Sequence, residues 1–486
     1  MRTLPIALAV ATSCLAACGS GPGSHAGADA SPGHDAPAAD AAPGTLLSRL
    51  QALPGVTAQQ VTSSTPGYDA YLLEFTQPVD HADPTGPTFQ QEATLIVVAA
   101  GDLTRPFVIE TTGYFDFAGS IALEPTEMLQ ANQISIEHRF FGTSRPSPAD
   151  WSKATIEQMA DDTHAIVTLL KPLFTGAYIS TGQSKGGMTA LFDRRYFPDD
   201  VAGTVAYVSP ISFGSADTRY DAQFDTIGPA DGSCRQAIKD VAAEMLHDRR
   251  DAMTTRAQAE ATANNFTYTR VPLGPSVEAA IESLEWAFWQ YNGVQDCDSV
   301  PSVTDSDDQL FAFLDNVSPV SSTDDDSCAQ FETYYFQAGF QLGQPDPTVP
   351  YLTAFEQYTG SDFAGLLPAD APTPVYDGGA AMDDMQTWVS TQGSQLILVY
   401  GEWDPWTGGA WSLGSATDSQ LSVQAAGTHG SDITHLAVAD RDNAIAKLQS
   451  WTGVPLDRAP ELAHAGRLTL PRAPRAVHRA PVIQSP

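Results

Sequence analysis

Three polar residues in the sequence have the types and the chain order that hydrolysis by a nucleophilic serine requires. Ser184 lies in "GQSKG", residues 182–186, a G-x-S-x-G pattern. Asp404 follows the apolar run "LILVY", and His429 follows "LSVQAA". A serine nucleophile needs a histidine base, and the histidine needs a carboxylate that orients it. The sequence therefore predicts an acyl-transfer site with Ser184 as nucleophile, His429 as base and Asp404 as orienting acid.

The five-residue pattern is common, so the elements around Ser184 decide between a nucleophile and an ordinary loop serine. The strand-like run "AYIS" precedes it, and the helix-like run "GGMTALFDRRYFP" follows. A sharp strand-to-helix turn exposes a serine hydroxyl at the carboxyl edge of a parallel sheet. In α/β-hydrolases the acid and then the base follow on loops after later strands. The order Ser184, Asp404, His429 agrees with this arrangement.

The acid and the base each have an alternative. Asp404 precedes a proline, and such a residue by itself is typical of a turn. Glu402 can replace it, although Glu402 is closer to the strand end. His435, in "ITHL", also follows the acid but falls in a predicted helix, which favours the loop histidine as base. His138 and His164 precede the serine, do not fit the order, and are predicted to be structural.

An oxyanion hole needs two N–H donors aimed at the developing charge. One predicted donor is the backbone N–H of Lys185, next to the nucleophile. The other is expected from the loop after an early strand, and "IETTGYFD" offers Gly113 or Tyr114. The Lys185 side chain has no predicted role. Because a lysine at a helix N-terminus opposes the helix dipole, a carboxylate partner is expected for it.

The arrangement of elements predicts the fold. Strand-like and helix-like segments alternate over residues 46–214, which indicates a mostly parallel sheet with crossover helices. Residues 215–385 are mainly helical and aromatic, with acidic loops, and are predicted to form an inserted cap domain. Alternation returns over residues 386–455. The predicted fold class is α/β, an α/β-hydrolase with a mostly parallel sheet and an inserted, mainly helical cap domain.

Composition excludes several classes of partner. The 486 residues include 24 Lys+Arg and 58 Asp+Glu, a formal net charge of -34. Such a surface repels phosphate backbones, so no nucleic acid partner is expected. The histidines and cysteines lack zinc-like spacing, and the acidic runs do not match calcium loops. We therefore expect no metal and no other cofactor, and the sequence does not indicate an oligomeric state.

Both ends of the chain differ from the body. Residues 1–18 contain an early arginine, a short apolar run and "LAAC", which resembles a bacterial lipobox. They predict a lipoprotein signal peptide, export from a bacterial cell, lipidation of Cys18, and membrane contact only through that lipid. The alternative is an ordinary cleaved signal and a secreted protein. Residues 19–45 are predicted to be a disordered tether, and 456–486 a Pro-rich basic tail.

Three cysteines lie outside the signal segment: Cys234, Cys297 and Cys328. Export permits disulfides. One disulfide and one free thiol allow three pairings, and the spacing of these residues does not choose among them.

Several longer motifs resemble one family. "EHRFFGTSRP", "STGQSKGGMTALFDRRYFPDDVAGTVAYVSP", "EWAFWQY" and "YGEWDPW" are similar to the secreted prolyl tri/tetrapeptidyl aminopeptidase family of serine peptidases. The resemblance runs from about Tyr68 to about Trp451. It implies an exopeptidase that releases tri- or tetrapeptides, commonly after Pro, from peptides with a free N-terminus. It also favours a disulfide between Cys234 and Cys297.

Carried over residue by residue, the resemblance again makes Ser184 the nucleophile, Asp404 the acid and His429 the base. The "THG" around His429 departs from the family's "NHG" at Thr428. An esterase or lipase with the same three residues, and a non-catalytic lipoprotein that binds peptides, are the alternatives. Four tryptophans can line a proline pocket or pack in the core: Trp286, Trp289, Trp403 and Trp406.

Overall fold

The structure is a computed structural model that describes residues 44–455. The predicted signal peptide with Cys18, the predicted tether up to residue 43 and the predicted basic tail lie outside the described residues. Within residues 44–455, no helix is long and apolar enough to cross a membrane.

One mixed sheet forms the centre of the described part of the chain. Its nine strands are β1 (Val56–Val61), β2 (Tyr68–Pro78), β3 (Thr88–Val98), β4 (Phe107–Thr111), β5 (Asn132–Ile136), β6 (Tyr178–Gln183), β7 (Gly203–Tyr207), β8 (Leu396–Gly401) and β9 (Gln420–Gln424). Their spatial order is β1-β2-β3-β5-β4-β6-β7-β8-β9. The pairs that involve β1, β2 and β3 are antiparallel. All pairs from β5 to β9 are parallel.

Helices cover both faces of the sheet. The α-helices of the described residues are α1 (Leu46–Gln51), α2 (Glu124–Leu129), α3 (Ile156–Leu170), α4 (Lys185–Tyr196), α5 (Arg219–Phe224), α6 (Ser233–His247), α7 (Arg250–Asn264), α8 (Leu273–Glu282), α9 (Leu284–Tyr291), α10 (Asp307–Val317), α11 (Asp325–Gln337), α12 (Ala380–Thr391) and α13 (Val438–Thr452). Because strand side chains alternate between faces, Val205 packs with α2 and α13, whereas Ala206 packs with α4 and α12. Every residue of β4, β5, β7 and β8 is buried, as expected for strands covered on both faces.

The helices α5 to α11 lie between β7 and β8, where the sequence predicted an inserted cap. Helices α5 to α10 share a hydrophobic cluster that includes Ile238, Trp286, Phe288 and Leu314, whereas α11 packs in separate clusters through Cys328 and Phe336. The predicted end of the cap at residue 385 falls within α12. That helix packs against α4 through Met385 and Val389, so it covers the sheet.

Cys234 in α6 is joined to Cys297 by a disulfide, and Cys328 is a buried free thiol. The disulfide closes a loop of the cap across a sequence separation of 63 residues. It connects the first long cap helix to the segment that follows α9.

We expect the double substitution Cys234→Ser and Cys297→Ser to lower the free energy of unfolding by about 2–4 kcal/mol. The reason is that a closed loop of this length restricts the unfolded chain, an effect worth about 4 kcal/mol in the chain-entropy description. The measurement is thermal unfolding with and without a thiol reductant. Reductant should lower the melting temperature of the native protein and leave that of the double variant unchanged. An equal response of both proteins would contradict the prediction.

Candidate active site

Ser184 is the single residue between β6 and α4. Its φ of 56° lies in a region that residues with a side chain rarely adopt. Its N–H donates to the carbonyl of Tyr207 on β7 at 2.9 Å. Gly182 permits the close approach of strand and helix, since a Cβ there would lie 2.3 Å from the backbone of Gly186. Strained backbone of this kind is concentrated at functional sites.

Asp404 and His429 are in direct contact. The Nδ1 atom of His429 lies 2.7 Å from Oδ2 of Asp404. The other carboxylate oxygen accepts a hydrogen bond from the backbone N–H of Trp406 at 3.1 Å. Both side chains are buried, with relative exposures of 2% for His429 and 0% for Asp404. A carboxylate at Nδ1 fixes the orientation of the ring and leaves Nε2 available for proton transfer.

The loop that carries His429 is held from two sides. Gln183, which directly precedes Ser184, donates from its side chain to the carbonyl of His429 at 2.6 Å. The N–H of His429 donates to the carbonyl of Gln290 in α9 at 2.9 Å. The Nε2 atom is buried and has no hydrogen-bond partner within residues 44–455, so Ser184 does not bond to it in this structure. Strand β6 and the cap therefore jointly position the imidazole.

The alternative acid and base lie elsewhere. Glu402 accepts a hydrogen bond from the N–H of Ala426 at 2.7 Å. His435 is exposed, and its Nδ1 lies 2.6 Å from the carboxylate of Asp432. Within the described residues, the side chains of Glu402 and His435 therefore bond to neighbouring residues and not to each other or to Ser184.

The two early histidines also have partners away from Asp404. His138 is buried, with Nδ1 2.8 Å from the carbonyl of Arg139. His164 stacks on Phe197 and pairs with Asp200 at 2.6 Å. Over the described range, no three His, Cys, Asp or Glu side chains are grouped so that they can hold a metal ion.

The predicted oxyanion loop lies against the first turn of α4. Gly113 has a φ of 73°, and a Cβ at this position would lie 2.5 Å from the backbone nitrogen of Gly186. The N–H of Tyr114 makes a long hydrogen bond, 3.3 Å, to Oγ1 of Thr112. The N–H of Lys185 belongs to a helix's first turn, where no intrahelical acceptor exists. The structure thus brings both predicted donor segments together.

The side chain of Lys185 is buried against the same loop. Its Nζ donates to the carbonyl of Gly113. It also lies 5.2 Å from the ring centroid of Tyr114 and 5.1 Å from that of Phe141. Burial holds the pKa of Lys185 well below its usual range. The prediction of a carboxylate partner for Lys185 is wrong for the described residues, because its Nζ contacts a carbonyl and two aromatic rings instead.

Aromatic residues of the cap that were not predicted as site residues lie against this loop and against His429. The rings of Phe331 and Tyr334 in α11 lie 5.9 and 6.0 Å from that of Tyr114. The ring of Tyr291, at the end of α9, lies 6.3 Å from that of His429. The only signal in the sequence was the density of aromatic residues in the cap segment, which is equally typical of a core.

The four tryptophans weighed for a proline pocket join the cap to the loop after β8. Trp286 packs edge-on against Trp406 with centroids 5.4 Å apart, and Trp289 against Trp403 at 5.8 Å. Trp286 and Trp289 are fully buried. These residues pack the cap onto the loop that carries Asp404.

Three carboxyl groups lie near the oxyanion loop: Glu110 and Glu137 are buried, and Asp116 is partly buried. Burial raises the pKa of Glu110 to about 8 and that of Asp116 to about 7. Burial also raises the pKa of Glu137, against an opposing hydrogen bond from Ser144. One oxygen of Glu110 is buried without a hydrogen-bond partner. Glu110 is therefore a group that the folded protein holds in its protonated form at neutral pH.

We expect Glu110→Gln to stabilise the protein at pH 9 by about 1–3 kcal/mol and to leave its stability at pH 4 nearly unchanged. A carboxyl whose pKa is raised in the folded state destabilises that state progressively as pH rises from the unfolded pKa towards the folded pKa. The amide cannot ionise and does not incur this penalty. Thermal unfolding from pH 4 to pH 9 measures the effect, with the exposed Glu157→Gln as a control. Parallel curves for all three proteins would show that Glu110 ionises normally.

The strand order, the parallel half of the sheet and the crossover helices define an α/β-hydrolase, which confirms the predicted fold class. The chain belongs to the PS-10 peptidase S37 family, whose model matches residues 40–481. It is therefore a serine peptidase, and the family predicted from the motifs is confirmed.

A curated relative and two solved structures are similar to this chain. The chain is 38% identical over 394 residues to the prolyl tri/tetrapeptidyl aminopeptidase of Streptomyces mobaraensis, covering 80% of this chain and 81% of that protein. The structure of the proline iminopeptidase of Mycobacterium smegmatis is 16% identical with a TM-score of 0.35, and the match covers 78% of this chain and 98% of that one. An alpha/beta hydrolase fold protein of Nakamurella multipartita is 14% identical with a TM-score of 0.31, covering 77% and 99%. Similarity at the level of these two structures does not bear on activity.

Proposed function

We propose that this peptidase releases N-terminal tri- or tetrapeptides, preferentially after Pro, from peptides with a free N-terminus, through Ser184, Asp404 and His429. The observation that carries the proposal is the buried 2.7 Å contact between Nδ1 of His429 and Oδ2 of Asp404. The loop that carries His429 is joined to the strand-to-helix turn of Ser184 by the hydrogen bond from the Gln183 side chain to the carbonyl of His429. The substrate class is supported by the 38% identical relative, which is a prolyl tri/tetrapeptidyl aminopeptidase.

In the proposed reaction, Nε2 of His429 takes the proton of Ser184 as Oγ attacks the carbonyl carbon of the third or fourth residue. Asp404 keeps the ring oriented and stabilises the imidazolium. The backbone N–H groups of Lys185 and Tyr114 bind the oxyanion. His429 then gives its proton to the leaving amine. In the second half of the reaction, His429 takes a proton from water as the water attacks the acyl-enzyme, and then returns a proton to Oγ of Ser184 as the peptide leaves.

The unpaired Nε2 atom supports His429 as the base. A buried polar atom without a partner costs about 1–3 kcal/mol, and a catalytic role is one of the reasons for which native proteins keep such an atom. Nε2 of His429 is buried without a hydrogen-bond partner among the described residues. In the proposed reaction this atom bonds to the hydroxyl of Ser184 when substrate binds.

The cap supports an exopeptidase that acts on short, unfolded substrates. Helix α9 contacts the loop of His429 through the carbonyl of Gln290. Helix α11 covers the oxyanion loop through Phe331 and Tyr334. We infer that α9 and α11 limit the length of peptide that extends from its free amine to the scissile bond.

A panel of p-nitroanilide substrates tests the proposal. We expect turnover of tripeptide p-nitroanilides that have a free amine and Pro as the third residue, and weaker turnover when the third residue is Ala. Acetylation of the amine should abolish turnover. Short-chain esters complete the panel, because hydrolysis of esters without hydrolysis of peptides would establish an esterase instead. A folded protein that neither turns over peptides nor reacts with a fluorophosphonate would refute the enzymatic function and favour the non-catalytic alternative.

We further propose that the protein is exported and anchored through lipid on Cys18, a residue outside the described part. The support is the resemblance of "LAAC" at residues 15–18 to a lipobox. Cells labelled with a palmitate analogue should incorporate it into the native protein and not into a Cys18→Ala variant. Cys14→Ala, four residues earlier, is the matched control and should keep the label. Equal incorporation into the native and Cys18→Ala proteins would refute the anchor.

A further inference from the structure

The side chain of Lys185 has no part in the reaction described above. It directly follows the proposed nucleophile in the chain, and it is buried. Its relative exposure is 2%. Lysine is rarely buried to this degree without a charged partner. Within residues 44–455, its hydrogen-bonding partner is the carbonyl of Gly113, flanked by the rings of Tyr114 and Phe141.

The bond to Gly113 sets the direction of an adjacent N–H. The carbonyl of Gly113 and the N–H of Tyr114 belong to one peptide group. The described chain contains a cis peptide only at Ser147-Pro148, so this group is trans. In a trans peptide the C=O and N–H point in opposite directions. Because Nζ of Lys185 binds the carbonyl, the N–H of Tyr114 must point away from Nζ.

This peptide group needs an external restraint. Gly113 has a φ of 73°, and glycine adopts both signs of φ readily. The bond from the N–H of Tyr114 to Thr112 is 3.3 Å long, slightly beyond the usual distance of about 2.7–3.2 Å for N–H donors. The bond from Lys185 to the Gly113 carbonyl is thus a second side-chain contact that opposes rotation of the peptide, beside the long bond to Thr112.

We propose that Lys185 is a positioning residue for the oxyanion hole: its Nζ holds the carbonyl of Gly113 so that the N–H of Tyr114 is presented to the oxyanion. Lys185 then acts twice, through its own backbone N–H and through the orientation of the second donor. The inference rests on the proposed function. It accounts for the lysine in "GQSKG", which the general elbow pattern does not require.

A role for Lys185 as the general base does not fit its contacts. Its hydrogen bond goes to the Gly113 carbonyl, and Ser184 accepts no side-chain hydrogen bond from it. Aromatic rings lie on the sides of Nζ. The base position next to Asp404 is occupied by His429.

Lys185→Met tests the proposal, because it keeps the length and apolar stem and removes the donor. We expect kcat for a tripeptide p-nitroanilide with Pro at the third position to fall by about 30- to 100-fold, less than the roughly 10²- to 10³-fold cost of losing an oxyanion donor outright, because the N–H of Tyr114 remains. KM should change by less than about twofold. A peptidyl boronic acid, which forms a tetrahedral adduct with serine, should lose affinity by a similar factor. The released tripeptide, a ground-state ligand, should bind as before.

Two further variants separate positioning from stability. Arg194→Met removes another buried cation of α4, one that binds the carbonyls of Pro198 and Val201. It should lower the melting temperature without changing the ratio of boronate to tripeptide affinity. Lys185→Gln retains a shorter N–H donor and should recover part of the lost kcat.

Native-like kcat and boronate affinity in folded Lys185→Met would overturn the inference while leaving the proposed function intact. Absence of peptide turnover in the native protein would instead refute the proposed function. If neither Lys185 variant folds, the boronate complex of the native protein decides by crystallography. The proposal requires the boronate oxygen to bond to the N–H groups of Tyr114 and Lys185 while Nζ stays on Gly113; any other second donor would overturn it.

Discussion

Ser184→Ala is expected to lower kcat for tripeptide p-nitroanilides by about 10⁶-fold and to abolish labelling by a fluorophosphonate. The hydroxyl is the only atom of Ser184 that can form the acyl-enzyme, and removal of the nucleophile from such a unit costs about this factor. The strained turn at Ser184 is made by backbone, so alanine should preserve it. Substrate affinity should change little, and the measurement is active-site-titrated kinetics together with probe labelling.

Ser180→Ala is the matched control for this prediction. Ser180 lies on β6, the strand that ends just before Ser184, is buried, and bonds through Oγ to Oγ1 of Thr204 at 2.8 Å. Its loss should cost about 1 kcal/mol of stability and leave kcat within about twofold of the native value. Retention of labelling in Ser184→Ala would identify a different nucleophile.

Asp404→Asn is expected to lower kcat by about 10⁴-fold with the fold preserved. The carboxylate accepts from Nδ1 of His429 at 2.7 Å and from the N–H of Trp406 at 3.1 Å. An amide that keeps the bond to Trp406 presents its NH₂ group to Nδ1, which favours the tautomer with the proton on Nε2. That tautomer cannot accept the serine proton, and a comparable replacement in a serine protease costs about 10⁴. The measurement is kcat between pH 6 and pH 10.

Glu402→Gln provides the control, since Glu402 lies on the same loop and bonds to the N–H of Ala426. We expect its kcat to stay within about threefold of the native value. If Glu402→Gln were the inactive variant and Asp404→Asn the active one, the acid would be Glu402. The same logic applies to His429→Ala against His435→Ala, where only the first should lose activity.

The fold followed from local patterns that a sequence displays directly. Alternating apolar strands and helices predicted the parallel half of the sheet, and β6, α4 and β7 lie where the pattern indicated. The boundary at residue 385 was less readable. Helix α12 faces the sheet through Met385 and Val389, but its apolar pattern equally suits a cap helix.

The candidate site was readable for a related reason. Parallel strands end at one edge of a sheet, so loops after β6, β8 and β9 converge whatever the intervening sequence. The order of Ser184, Asp404 and His429 predicted their proximity, and the last two are in contact in the structure. The contacts of Tyr291, Phe331 and Tyr334 could not be predicted from the sequence, because the sequence of a helix does not show which edge of the sheet its aromatic face covers.

The α/β-hydrolase fold, the peptidase family and the candidate site residues could all be predicted from the sequence, because they depend on short segments and on their order along the chain. The environment of Lys185 became visible in three dimensions, where its Nζ meets a carbonyl 72 residues away and not the expected carboxylate. The tertiary structure also showed the cap holding the loop of His429 through Gln290. Burial and hydrogen-bond direction arise from packing between distant segments, and no local pattern encodes them.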